Sequence, residues 1–239
     1  MKRSFKILVL ALAFLAGSFS LVFSHMLWIE KLNGEYKVFW GHAGKVEHYD
    51  PKRVKMIKAF DKKEKELKIE KKVVDNFLIL ASNKKPSLML AFMDGVYLVT
   101  TPEGKKRMDK IEAQKQGLQV VESFYVIQAT KAVFSDSSVL KKPLKILKLD
   151  PVFVEGPFDK KDTVIVKVFY EGKSAEGVTI FNAFHKELAK TDSQGLAKLS
   201  VEELKMKEGH YALVAFYKVK ISDPKADYLW LITSLTWQK

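Results

Sequence analysis

After residue 24, apolar side chains recur every second residue in short runs, and turn residues interrupt each run. No long stretch carries the 3.6-residue apolar period of a surface helix. The clearest run is Glu35 to His42, where Tyr36, Val38, Trp40 and His42 share one face of an extended chain. Arg53 to Phe60, Val73 to Ala81, Ser87 to Phe92, Val96 to Thr100 and Val120 to Val133 repeat the pattern in the first half. Lys105 to Gln116 is polar and reads as a short helix or an ordered loop. In the second half the runs are Leu144 to Leu149, Thr163 to Tyr170, Gly177 to Phe184, His210 to Val219 and Tyr228 to Trp237. Asp192-Ser193-Gln194-Gly195 reads as a hairpin loop between two further short strands. Strands of this length at regular turn spacing predict an all-β protein of two tandem β-sandwich domains, immunoglobulin-like or transthyretin-like. The polar, Ser- and Pro-containing segment Phe134 to Pro143 suggests the junction, giving domains 25–138 and 139–239. There is no cysteine, so such domains must be held by their cores, without disulfides.

Residues 1–24 read as a secretory signal peptide. Lys2, Arg3 and Lys6 form a positive n-region, and Ile7 to Ala16 a short apolar core. Val22-Phe23-Ser24 offers a signal-peptidase site. Cleavage after Ser20, cleavage after Val22 with an unfavourable valine at −1, or retention of the apolar stretch as an anchor are the alternatives. The expected location is the periplasm, with the protein anchored if the signal stays uncleaved.

The formal net charge is +13, carried almost wholly by lysine: Arg3, Arg53 and Arg107 are the only arginines among 41 basic residues. Planar, bidentate phosphate recognition favours arginine, and the basic residues are not clustered beside stacking aromatics. Nucleic acid is therefore not an expected partner. Enzyme signatures are missing as well. There is no Gly-x-Ser-x-Gly elbow, Gly-rich phosphate loop or His-Glu-x-x-His helix.

Phe39-Trp40-Gly41-His42, Glu47-His48-Tyr49-Asp50-Pro51, Val54 to Asp61, Leu90 to Tyr97 and Thr101-Pro102-Glu103-Gly104 follow one another in an order that resembles a family of periplasmic proteins tied to nickel and cobalt uptake. His25 closely followed by Trp28 resembles the start of such proteins after their signal. The resemblance covers essentially all of the chain after residue 24. It implies an auxiliary of an energy-coupled Ni²⁺ or Co²⁺ importer, with membrane components of that transporter as partners. The second half separately resembles transthyretin-like or immunoglobulin-like modules of exported bacterial proteins, through Val164 to Tyr170, Glu171-Gly172-Lys173 and Gly209-His210-Tyr211.

Without cysteine, imidazole is the expected side-chain donor for a transition metal. The five histidines are His25, His42, His48, His185 and His210. Cleavage after Ser24 would give His25 a free α-amine beside its ring, a chelating pair for Ni(II), Co(II) or Cu(II). The expected metal site is His25, His42 and His48, with Glu47 and Asp50 as oxygen donors near by. His185 and His210 are read as structural or surface residues. The resemblance favours Ni²⁺ or Co²⁺, and the donor types equally allow Cu²⁺. Two other functions compete: an exported β-sandwich binding or adhesion module without metal, and a copper enzyme built on the terminal histidine.

Overall fold

A computed structural model describes residues 25–159 and 162–238. The expected signal peptide, residues 1–24, and its expected cleavage site lie outside the described residues. In the first half the elements are β1 (Met26–Leu32), β2 (Glu35–His42), β3 (Lys45–Glu47), β4 (Val54–Phe60), β5 (Glu66–Leu67), β6 (Ile69–Val74), β7 (Phe77–Ser82), β8 (Leu88–Thr101), β9 (Gly104–Lys106), the short helix α1 (Lys110–Lys115) and β10 (Glu122–Val133). The second half adds β11 (Leu149–Glu155), β12 (Thr163–Tyr170), β13 (Lys173–Ser174), β14 (Thr179–Asn182), β15 (Glu187–Lys190), β16 (Leu196–Ser200), β17 (Lys205–Lys207), β18 (His210–Asp223) and β19 (Ala226–Gln238). The all-β expectation holds. Among the described residues no helix is long and apolar enough to cross a membrane.

The strands form three sheets. A ten-stranded central sheet runs β15-β14-β18-β19-β10-β8-β4-β5, with β17 on β18 and β9 on β8. A five-stranded N-terminal sheet runs β1-β2-β7-β6 with β3 on β2, and a four-stranded C-terminal sheet runs β11-β12-β13 with β16 on β12. The central sheet draws on both halves of the chain. They join where β10 and β19 pair in parallel, from Phe124 opposite Tyr228 to Val133 opposite Trp237.

Alternation along the central strands explains how one sheet serves two neighbours. In β8, Leu88 and Leu90 join the core shared with the C-terminal sheet, which contains Val164, Val166 and Val168 of β12. Met89, Ala91 and Met93 point the other way, into the core with Leu27, Val38 and Leu80 of the N-terminal sheet. All five of these β8 residues have no exposed surface, which accounts for the near-continuous apolar run. Burying one such large aliphatic side chain contributes about 1.5–3 kcal/mol.

The N-terminal sheet meets the central one along its β1 edge. Leu27 and Ile29 lie in one core, and Met26 and Trp28 in another with Phe124 and Trp230. The edge carbonyls are satisfied by side chains of the central sheet: Gln128 donates to His25 O at 3.0 Å, and Ser234 donates to Leu27 O. Burial on both faces leaves Met26–Leu32 without alternation, so the sequence gives no period-two signal for this strand.

Several local readings change. Val73 to Ala81 is not one strand, because Asp75 and Asn76 take φ 50 and 63 and turn the chain between β6 and β7. The runs Ser87 to Phe92 and Val96 to Thr100 belong to one continuous strand, β8, which begins at Leu88. Leu144 to Lys148 is not a strand, and β11 begins only at Leu149. Lys145 takes φ 55, and the Asp150 carboxylate accepts from the Leu144 amide at 2.9 Å, which together turn the chain. The loop at Asp192–Gly195 is a corner between sheets and not a hairpin, because β15 pairs with β14 while β16 pairs with β12. Its chemistry is as expected: Asp192 Oδ1 accepts from the Gln194 and Leu196 amides, and Gly195 has φ 77. Finally, the segment Phe134 to Pro143 is not wholly a polar break, since it seats Val139 and Leu140 in the core.

Candidate metal centre

Strand register assembles the site. In the β2–β3 hairpin Trp40 lies opposite Glu47, and His42 opposite Lys45. Met26 pairs with Gly41 across β1 and β2, so one step further along this antiparallel register His25 faces His42. Period-two alternation puts Trp40 and His42 on one side of β2, with Glu47 beside them. The hairpin can close this tightly because residue 41 is glycine. It has φ 139, and a Cβ there would lie 2.4 Å from Lys45 O.

His25, His42 and Glu47 offer ligand atoms that all lie within 4.8 Å of one another. His25 Nε2 is 2.8 Å from Glu47 Oε2, and His42 Nε2 is 3.7 Å from Glu47 Oε1. Two donors on one first-row ion, each bonded at about 2.1 Å, stand at most about 4.2 Å apart. A small contraction of the group therefore suffices. All three residues are half-buried, a setting that removes some competing water while leaving a route for an ion.

The His25 ring is held firmly. It stacks on the Trp40 indole, centroids 4.0 Å apart and 8° from parallel. Trp40 Nε1 donates to Gln128 Oε1 at 2.7 Å, and the Gln128 amide donates to His25 O, so one glutamine of β10 fixes both the stacking partner and the backbone of the histidine. The Glu47 carboxyl is held below its ordinary value, first by its hydrogen bond with His25 and then by Lys45. It is an anionic oxygen donor at neutral pH.

A third imidazole comes from the other half of the chain. His185, in the β14–β15 turn, lies edge-on to His42 with ring centroids 5.5 Å apart. Asn182 shapes that turn: its Oδ1 accepts from the Phe184 and Lys186 amides, and the His185 amide donates to Asn182 O. His185 takes φ 66, uncommon for a residue with a Cβ. The turn is tied to the site hairpin by Ala43 N donating to Ala183 O.

Of the expected ligands His25, His42 and His48, the structure brings the first two together. His48 is exposed, and its ring faces Phe77 at 6.2 Å. Adjacent residues of an extended segment point to opposite sides, so Glu47 entering the site turns His48 away from it. His210 lies elsewhere, with Nδ1 2.8 Å from Glu208 O. The sequence places His185 among structural or surface residues, since no pattern in its own segment shows that this turn reaches the β2–β3 hairpin. Glu47 had a signal, since it follows a tight turn after the Trp-Gly-His run.

The fold and the site thus define a class: an all-β protein with a histidine–carboxylate group at a sheet edge. No family model matches the chain, and no curated protein sequence matches it. The resemblance to nickel and cobalt uptake proteins rests on the sequence motifs quoted above.

Proposed function

We propose that this protein is an exported, periplasmic carrier of Ni²⁺ or Co²⁺ that serves the membrane components of a transition-metal uptake transporter, and that it is not an enzyme. The observation that carries the reading is the convergence of His25, His42 and Glu47 within 4.8 Å. Two imidazoles and one carboxylate suit borderline first-row ions. Half-buried side chains suit an ion that must be released as well as captured. His185 stands next to His42, so the second half of the chain brings a further imidazole beside the group.

Cleavage after Ser24 adds a second donor set. The α-amine of His25 would chelate together with Nδ1 of its own ring, whereas Glu47 lies on the Nε2 side. Amine and Glu47 serve one ion only if the ring turns over. A chain extended by one residue before His25 separates the two sets. Retained affinity assigns Nε2 with Glu47, and lost affinity assigns the amine with Nδ1.

Titration calorimetry with Ni²⁺, Co²⁺ and Cu²⁺ tests the proposal. His42→Ala and Glu47→Gln are each expected to weaken binding at least ~10-fold, equivalent to about 1.4 kcal/mol. His48→Ala should stay within about two-fold, the scale of an ordinary surface change. Binding should fall with acid, because a donor imidazole must be neutral. Wild-type protein that binds none of the three ions, whether presented bare or as complexes with a small organic acid, would overturn the carrier reading, leaving a metal-free binding or adhesion module. Cu²⁺ is expected to bind more tightly than Ni²⁺ or Co²⁺ at any such donor set, so only binding of Cu²⁺ with no measurable binding of Ni²⁺ and Co²⁺ would overturn the nickel and cobalt assignment.

A further inference from the structure

Beside the metal group lies a cavity of about 240 Å³ whose lining includes His25, Trp40, Gln128, Trp230, Arg53 and Arg107. The arginines are the unexpected part. The sequence uses arginine three times in all, and one of those is Arg3. Both others converge on this one cavity, although they come from separate elements: Arg53 ends the short turn before β4, and Arg107 follows β9. Lysine would have supplied charge alone. Arginine supplies a planar fork of donors that matches a carboxylate.

The two guanidinium groups are close enough to act on each other. Arg53 is held below its ordinary pKa first by burial and then by the charge of Arg107, with Asp94 and Asp50 opposing. Arg53 donates to the backbone oxygen of Asp94 at 3.1 Å. Among the described residues neither arginine has a carboxylate within ion-pair distance. Asp94 and Asp50 offset part of the Arg53 charge without pairing with its fork, so two cations with no bound carboxylate stand beside a site for a dication and oppose capture of the bare ion. An anion placed between them removes the conflict and gains a charge-assisted hydrogen bond from each arginine.

We propose that the Arg53–Arg107 cavity holds the carboxylates of a small polycarboxylic acid, so that the metal is carried as an anionic chelate shared between that acid and His25, His42 and Glu47. The volume is that of about eight water molecules in the liquid, enough for a small organic acid. The Trp40 and Trp230 rings give the carbon skeleton an apolar wall. The acid's remaining carboxylates and the protein's imidazoles together complete a coordination sphere that three protein donors leave open. This inference rests on the metal-carrier reading.

Equilibrium dialysis of the full chain tests it, with nickel and radiolabelled citrate measured separately on each side. Wild type should retain nickel and citrate in equal amounts, and citrate retention should drop at least ~10-fold when nickel is left out, a change of about 1.4 kcal/mol. Arg107→Gln and Arg53→Gln should each cut citrate retained per nickel at least ~10-fold, and Arg107→Lys should fall between, because it keeps the charge and loses the fork. Circular dichroism of each variant identifies any that fails to fold, and Arg107→Lys then serves as the readout. Nickel retained by wild type without citrate overturns this inference alone and leaves the carrier reading standing. Retention of neither overturns both. Citrate retained equally with and without nickel, or equally by wild type and His42→Ala, overturns the shared chelate. Inorganic phosphate that displaces citrate at equal concentration overturns the carboxylate assignment in favour of a general anion site.

Discussion

Glu47 carries two roles that separate under acid. Its carboxyl bonds His25 and pairs with Lys45, and these partners hold its pKa below the ordinary 4.5. A carboxylate with a depressed folded pKa binds fewer protons than it does in the unfolded chain. Its contribution is therefore fully present above the unfolded value and is lost as pH falls through the folded one. Asp227 behaves alike, held low first by Lys110 and then by Ser123, and so does Glu64 beside Lys142 and Ser138. Thermal midpoints measured without metal should stay level at neutral pH and drop as pH is lowered from about 4.5. Glu47→Gln should flatten part of that drop. A midpoint that rose on acidification through this range would contradict the sign.

At the level of elements, the site depends on the β2–β3 hairpin more than on any single ligand. Gly41 sits between Trp40 and His42, in a backbone conformation and a space that exclude a Cβ. The loop beyond β3 is pinned by Tyr49. Its hydroxyl donates to Val38 O at 2.9 Å and accepts from the Leu78 amide at 3.2 Å, bridging the place where the β2–β7 ladder ends. Burial pushes the Tyr49 hydroxyl up to about 12, so it remains a donor at any physiological pH. Gly41→Ala should cost more than about 1 kcal/mol, because alanine is strained at positive φ and meets Lys45 O. Urea denaturation monitored by tryptophan fluorescence would measure this. The same variant should weaken nickel binding although every donor side chain remains. Full stability and full binding would show that the hairpin tolerates a different backbone.

Across the whole molecule, one buried ion pair locks the halves together. Lys131 of β10 reaches Asp150 of β11 at 2.6 Å, with side chains only 1% and 3% exposed. Asp150 also accepts from the Leu144 amide, so a single carboxylate satisfies a charge and caps the turn that leads into β11. Removing one partner strands the other charge in the core. Asp150→Ala should destabilise by about 3–5 kcal/mol in urea unfolding, while Lys131→Met combined with Asp150→Leu should recover much of that loss. A single-partner variant as stable as wild type would mean that water reaches the pair. Because β10 pairs with β19 as well, the loss should appear as one cooperative transition spanning both halves.

The sequence by itself determined the secondary-structure class and part of the site. Period-two runs such as Tyr36-Val38-Trp40-His42 must form strands with one face inward, because alternation has no other stable reading. His25, His42 and His48 stand out alike, because imidazole is the expected side-chain donor for a transition metal in a chain without cysteine, and nothing in the sequence separates His48 from the other two. Strand β1 stayed hidden, since burial on both faces erases alternation. Only the tertiary structure decided the rest. Parallel pairing of β10 with β19 joins segments far apart in the chain, and no local pattern encodes a partner at that distance. The same packing brings His185 to His42, selects Glu47 over His48 through a one-residue change of side, and gathers Arg53 and Arg107 at one cavity. Residue types set what chemistry was available. Register and sheet packing set which of those groups meet, because contact between distant segments is a property of the whole core and not of any window of sequence.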